Sequence, residues 1–147
     1  MEADHLLVTA RTTVDAGRTA ALRSPLGVAA LAAAAVGVVA TVDPNEPGHY
    51  PACPLLALTG AFCPGCGSLR AVHAMAHGDL MTAVGLNVLT VLAVLPLGVV
   101  WLQWVRRSWT GRPKSSLAPA AALWALTALI IGFGVLRNLP MGAVLAP

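Results

Sequence analysis

The chain has 147 residues, of which 57% are hydrophobic and only 10% charged, with a formal net charge of +3. Soluble domains carry about a quarter of their residues as charges, so these values exclude a soluble enzyme or binding module. They leave room for one membrane domain of three or four spans. The basic balance does not point to nucleic acid either, because Lys and Arg sit beside apolar segments instead of gathering on one amphipathic face.

Residues 1–24 are polar and mixed in charge, with Arg11, Arg18 and Arg23 set against Glu2, Asp4 and Asp15, and read as a cytoplasmic N-terminal tail, partly helical or unstructured. The single membrane domain is expected over 25–147. Its first span is the uncharged run 25–42, just long enough at about 1.5 Å per residue to cross a hydrocarbon core of about 30 Å. Val38-Val39-Ala40 faintly resembles a signal-peptide cleavage site, but the region before it is too long and the apolar run too extended for one. Ala29, Ala33 and Gly37 make a ridge of small residues along this span, which lets another helix approach closely.

The segment 43–67 holds Pro44, Pro47, Pro51, Pro54 and Pro64 with several glycines. That density excludes a regular helix and reads as an ordered loop. A short interfacial helix is expected over 68–77, started by Ser68 and stopped by Gly78. Asp79 then N-caps the second span, 80–105, where its charge suits the positive end of the helix dipole. That span is longer than a bilayer requires and carries Pro96, where a kink is expected. It also carries Asn87, which is costly in hydrocarbon unless paired and is therefore expected to face another helix. Arg106, Arg107, Arg112 and Lys114 form the next connection, followed by a third span at 117–136 that Arg137, Asn138 and Pro140 end.

With three spans, seven basic residues (Arg11, Arg18, Arg23, Arg106, Arg107, Arg112, Lys114) fall on one side and two (Arg70, Arg137) on the other. The positive-inside rule then puts the N-terminus in the cytoplasm of a bacterial inner membrane and the loop 43–67 outside it. Trp101, Trp104 and Trp109 fit an interfacial belt at the inner end of the second span. The loop would meet an oxidising compartment, where a disulfide persists.

All three cysteines, Cys53, Cys63 and Cys66, lie in that loop, which makes it the place to look for chemistry. Three thiols allow three single disulfides, each leaving one thiol over; a staple including Cys53 is the leading reading. Cys63-Pro64-Gly65-Cys66 also has the spacing of thiol oxidoreductases, although no thioredoxin-like pattern surrounds it. A third reading is a zinc site of Cys53, Cys63, Cys66 and His49 or His73. Covalent haem is excluded because Gly67 stands where the attachment motif requires histidine. Arg70, His73 and His77 recur at helical spacing on one face of the short helix, as a lipid-, partner- or proton-facing set or simply a wetted surface.

The run Cys53-Pro54, Thr59-Gly60, Cys63-Pro64-Gly65-Cys66-Gly67, Arg70-Ala71, continuing to Gly78-Asp79-Leu80 and Asn87, resembles a family of small bacterial membrane proteins, domain of unknown function 2752. The family usually has proline after the asparagine, where Val88 stands here; this departure questions the local bend and not the membership. The resemblance brings no settled reaction. Through the family's actinobacterial members it implies an accessory subunit of the respiratory chain, alongside cytochrome bcc and aa3-type oxidase complexes. The expectation is therefore an all-α protein with three transmembrane helices and a short interfacial helix after a cysteine-rich extracytoplasmic loop. It is expected to be non-catalytic, to need no cofactor (zinc being the alternative), and to have membrane lipids and other integral membrane subunits as partners.

Overall fold

The computed structural model describes residues 2–112 and 119–147, with side chains from residue 21 onward. The described residues are all helical or irregular, with five α-helices in chain order: α1 (Glu2–Thr41), α2 (Pro54–Thr59), α3 (Ser68–Ala76), α4 (Leu80–Thr110) and α5 (Ala120–Leu136). A 3₁₀ turn at Pro140–Leu145 follows. Two helical stretches, Ala21–Thr41 and Leu80–Thr110, are long and apolar enough to cross a membrane, with mean hydropathies of 1.8 and 2.3. Only 11% of the apolar window in each is buried within the chain, whereas the core helix of a soluble protein would be mostly covered. Helix α5 is apolar and 17 residues long.

Several boundaries differ from the sequence reading. Helix α1 begins at Glu2 and runs through Pro25, giving up the one hydrogen bond a proline cannot make. Ala-rich sequence on both sides of that position favours helix strongly enough to carry the chain past it. The proline-rich loop contains a regular element after all, the six-residue α2. Pro54 occupies its first turn, where the missing N–H has no partner to lose, and Gly60 ends it with φ 72°. Lys114 and the first two residues of the third expected span, 117 and 118, lie outside the described residues.

The chain divides into two compact units, Met1–Ala33 with Leu97–Ser115, and Ala34–Pro96 with Ser116–Pro147. In the first, the Trp101 indole N–H donates to the Pro25 carbonyl at 3.1 Å. The second holds the cysteine loop. Its core is made of small side chains, Ala71, Ala74 and Ala83, with Met75, Leu86 and Val91 packed around them, so α3 lies close against the start of α4. Gly67 is required at this contact. Its φ is 83°, and a Cβ there would come within 2.4 Å of the Leu86 carbonyl oxygen.

Helix α3 starts at Ser68 with Gly67, not a side chain, at the N-cap; the Ser68 hydroxyl is instead 2.8 Å from Thr90 Oγ1. It ends in a Schellman arrangement, with the Gly78 N–H donating to Met75 O at 3.0 Å and the Asp79 N–H to Ala74 O at 2.9 Å. The Asp79 carboxylate accepts the Thr82 N–H at 3.0 Å at the head of α4.

The break in α4 falls at Asn87 (φ −162°, ψ 94°), while Pro96 keeps helical dihedrals. The interruption of helical dihedrals at Asn87 was not expected; it comes from an asparagine acting as a cap inside the helix. Asn87 is extended, and its Oδ1 accepts the Thr90 N–H at 3.0 Å, which is how an N-cap side chain serves the third residue of a new helix. Val88 is then the first residue of that second segment, a position proline fits well, so the bend persists here without the proline.

Replacing Asn87 with Ala is expected to lower stability by about 0.5–2 kcal/mol for the lost cap, with more from the loop contacts described below. Val88→Pro should leave the melting temperature in detergent unchanged or raise it. A fall in melting temperature for Val88→Pro as large as that for Asn87→Ala would contradict the cap assignment.

Candidate functional site

The three cysteines converge. Cys53 ends the extended approach to α2 as its N-cap residue, and Cys63 and Cys66 flank a tight turn closed by the Cys66 N–H to Cys63 O bond at 3.0 Å. The Cys63 sulfur is 3.5 Å from Cys53 Sγ and 3.2 Å from Cys66 Sγ, and all three sulfurs lie within 4.8 Å of one another. Cys63 is therefore in reach of both neighbours, and a bridge to either leaves the other thiol over.

Two residues distant in sequence hold this turn. The buried Asn87 amide donates to Pro64 O at 2.9 Å, Cys66 O at 3.0 Å and Ser68 Oγ at 3.1 Å. The Arg137 guanidinium, 1% exposed, donates through one terminal nitrogen to Cys63 O at 3.1 Å and Cys66 O at 3.0 Å, and through the other to Leu145 O at 2.9 Å. Its plane is flanked by the rings of Phe62 and Phe133, with centroids 5.8 and 5.0 Å away. Asn138 completes the grip: it accepts the Phe62 N–H and donates to Phe62 O, both at 2.8 Å, as a neighbouring strand would. Close approach of α5 depends on Gly134, where a Cβ would sit 2.8 Å from Pro64 Cγ.

The environments of the thiols differ. Cys53 is drawn down to about 7, chiefly by the Leu56 backbone N–H in the first turn of α2 and then by the Cys63 and Cys66 thiols. No capping hydrogen bond to the Cys53 side chain is fully formed, so the amide acts at longer range. Burial pushes Cys66 up to about 11. One thiol is thus ready to ionise at neutral pH and one is strongly disposed to stay protonated on its own.

A cavity of about 370 Å³ opens beside the sulfurs, lined among others by Cys53, Cys63, Cys66, Arg70 and Tyr50. The other residues singled out in the sequence lie elsewhere. His49 Nδ1 is 3.3 Å from Asp43 O and 3.4 Å from Glu46 Oε2, and it is not part of the sulfur cluster. His73 turns toward the end of α1, with Nδ1 2.8 Å from Val39 O and Nε2 3.8 Å from the Asp43 carboxylate. The His77 ring lies against it, with centroids 4.4 Å apart and the planes tilted by 38°. Arg70 thus lines the cavity beside the sulfurs, whereas His73 and the C-cap residue His77 lie against each other and do not line it.

Arg137 and Asn138 were read only as the end of a span. The signal that would have found them is an Arg-Asn pair directly after an uncharged run, since polar groups at that depth must be satisfied within the protein.

Two helices long and apolar enough to cross a membrane, with three cysteines gathered over a buried Asn87 and Arg137, suggest a membrane protein. Residues 53–101 match the family model described as a protein of unknown function (DUF2752). The match takes in all three cysteines and Asn87 and stops short of Arg137 and Asn138. No curated protein and no solved structure matches the chain.

Arg137→Lys keeps a charge but lacks the planar fork that reaches several carbonyls together. Each carbonyl left without a donor is expected to cost about 1–3 kcal/mol, read as a lowered unfolding midpoint in detergent. In the reduced, metal-free chain, alkylation should modify Cys53 first, with a rate midpoint near pH 7, and Cys66 last; equal rates at all three thiols would contradict the assigned environments.

Proposed function

We propose that this chain is a non-catalytic accessory subunit, an assembly or stabilising factor, of a larger inner-membrane complex. The observation that carries the reading is where the buried polar groups go. Asn87 and Arg137 make their hydrogen bonds to loop carbonyls, so they rigidify a cap, while the apolar faces of the helices remain open, with Leu92, Leu95, Trp124 and Leu129 all more than half exposed. Rigid polar caps on open apolar helices suit packing against other membrane helices.

The topology adopted is three spans, the third being Ala120–Leu136, which at about 1.5 Å per residue covers about 26 Å. A helix this short is accommodated by slight thinning of the bilayer or by flanking polar residues. The seven-to-two distribution of Lys and Arg keeps the N-terminus in the cytoplasm and the cysteine loop outside. The choice of the respiratory bcc–aa3 oxidase assembly as partner rests on the family resemblance, not on the geometry.

A thiol–disulfide exchange role is the second reading, favoured by Cys63 lying within 3.5 Å of both other sulfurs. The two readings separate on the same variants. For an accessory subunit, Asn87→Leu and Arg137→Met should lower chain abundance and recovery of the partner complex together, and native purification should bring respiratory oxidase components with the chain. A chain that purifies alone, turns over thiol substrates and loses that turnover in Cys63→Ser at unchanged abundance would refute it. For the topology, an impermeant thiol reagent applied to reduced, intact cells should label the loop; labelling only after lysis would reverse the orientation.

A further inference from the structure

We propose that Cys53, Cys63 and Cys66 form a three-thiolate site for one thiophilic d¹⁰ metal ion, with Cu(I) preferred over Zn(II). The three sulfurs already lie within 4.8 Å of one another, and a metal at ordinary metal–sulfur distance of about 2.3 Å needs only small rotations of the side chains to meet all three. The loop that carries them is held by its backbone, through Asn87 and Arg137, and not by the sulfurs themselves. Binding therefore costs little ordering. The adjoining cavity, which Cys53, Cys63 and Cys66 line, supplies an entry path.

A second observation points the same way. Arg137 is a fully buried cation, and among the described residues no carboxylate pairs with it; its partners are carbonyl oxygens and two aromatic rings. Its Nε–H has no acceptor at all. Burying an uncompensated charge is expensive, and the ionisable groups near enough to interact with its charge are the thiols of Cys66 and Cys63. A cystine or three neutral thiols would leave that charge unanswered. Three thiolates around a divalent ion carry a net charge of −1, which Arg137 neutralises, and around a monovalent ion −2, of which Arg137 offsets one; the buried cation therefore supports a thiolate set and does not choose the metal.

The choice of metal follows from the donor set. Structural zinc is almost always closed by four ligands, and His49, the nearest histidine in sequence, is engaged with Asp43 and Glu46 and stands outside the cluster. A three-sulfur set suits soft monovalent copper. Binding is a proton exchange without electron transfer: three Cys–SH and one Cu(I) give the tris-thiolate complex and three protons.

The test uses the full chain in detergent, reduced and kept anaerobic, with Cu(I) delivered from a chromogenic chelator and X-ray absorption recorded on the product. One Cu(I) per chain with a shell of three sulfurs is expected. Cys53→Ser should weaken binding more than about a hundredfold, His49→Ala should leave it unchanged, and Arg137→Lys should weaken it by about ten- to a hundredfold at unchanged stoichiometry, as loss of an outer contact does. Zinc that resists displacement by Cu(I), a nitrogen in the metal shell, or sensitivity to His49→Ala would overturn the assignment. So would a Cys53–Cys63 or Cys63–Cys66 cystine that re-forms in the presence of Cu(I), or no binding to the reduced chain.

Discussion

The turn from Cys63 to Cys66 presents its carbonyl oxygens inward, and a buried carbonyl must find a donor. Three of them, on Cys63, Pro64 and Cys66, find donors in two side chains: the Asn87 amide from inside α4 and the Arg137 guanidinium from the end of α5. Much else in this unit follows. Asn87 can reach the turn only because α4 breaks at that residue, and α3 can pack beside the break only because Gly67, Ala71, Ala74 and Ala83 leave room. Gly134 lets α5 come close enough for Arg137 to bridge. The sulfurs are gathered as a consequence, without any covalent link needed to bring them together.

This arrangement separates two tasks within a small chain. The helices contribute apolar surface, most of it open, which is what a bilayer or neighbouring helices require. The loop contributes three thiols in unlike surroundings. A cystine would hold the loop by removing two of those thiols, whereas the carbonyl clamp holds it while leaving all three available.

The element order was legible in the sequence because uncharged runs and their breakers are one-dimensional signals: 25–42, 80–105 and 117–136 stand out, and Gly78 followed by Asp79 marks one helix end and the next start. What was not legible depended on three-dimensional context or on weighing two local rules. Pro54 was counted among loop-forming prolines, although a proline in a first turn with Gly60 six residues on also describes the short α2. Pro96 drew attention as the site of irregularity in α4, whereas the non-helical residue is Asn87, which a one-dimensional reading took only as a polar group needing a partner. The cysteines were visible as a set; their clamp was not, since Arg137 lies 71 residues from Cys66 and only folding brings the two together.

The central claim is that Asn87 and Arg137 act on one object, the carbonyls of the cysteine turn, and in particular share the oxygens of Cys66 and Pro64. A double-mutant cycle tests this most directly, with Asn87→Leu, Arg137→Met and the double variant unfolded in the same detergent and compared with the parent chain. Residues in one hydrogen-bond network couple by about 0.5–3 kcal/mol, so the double variant should lose clearly less stability than the sum of the single losses. Losses that add within about 0.3–0.5 kcal/mol, as for independent sites, would contradict the account.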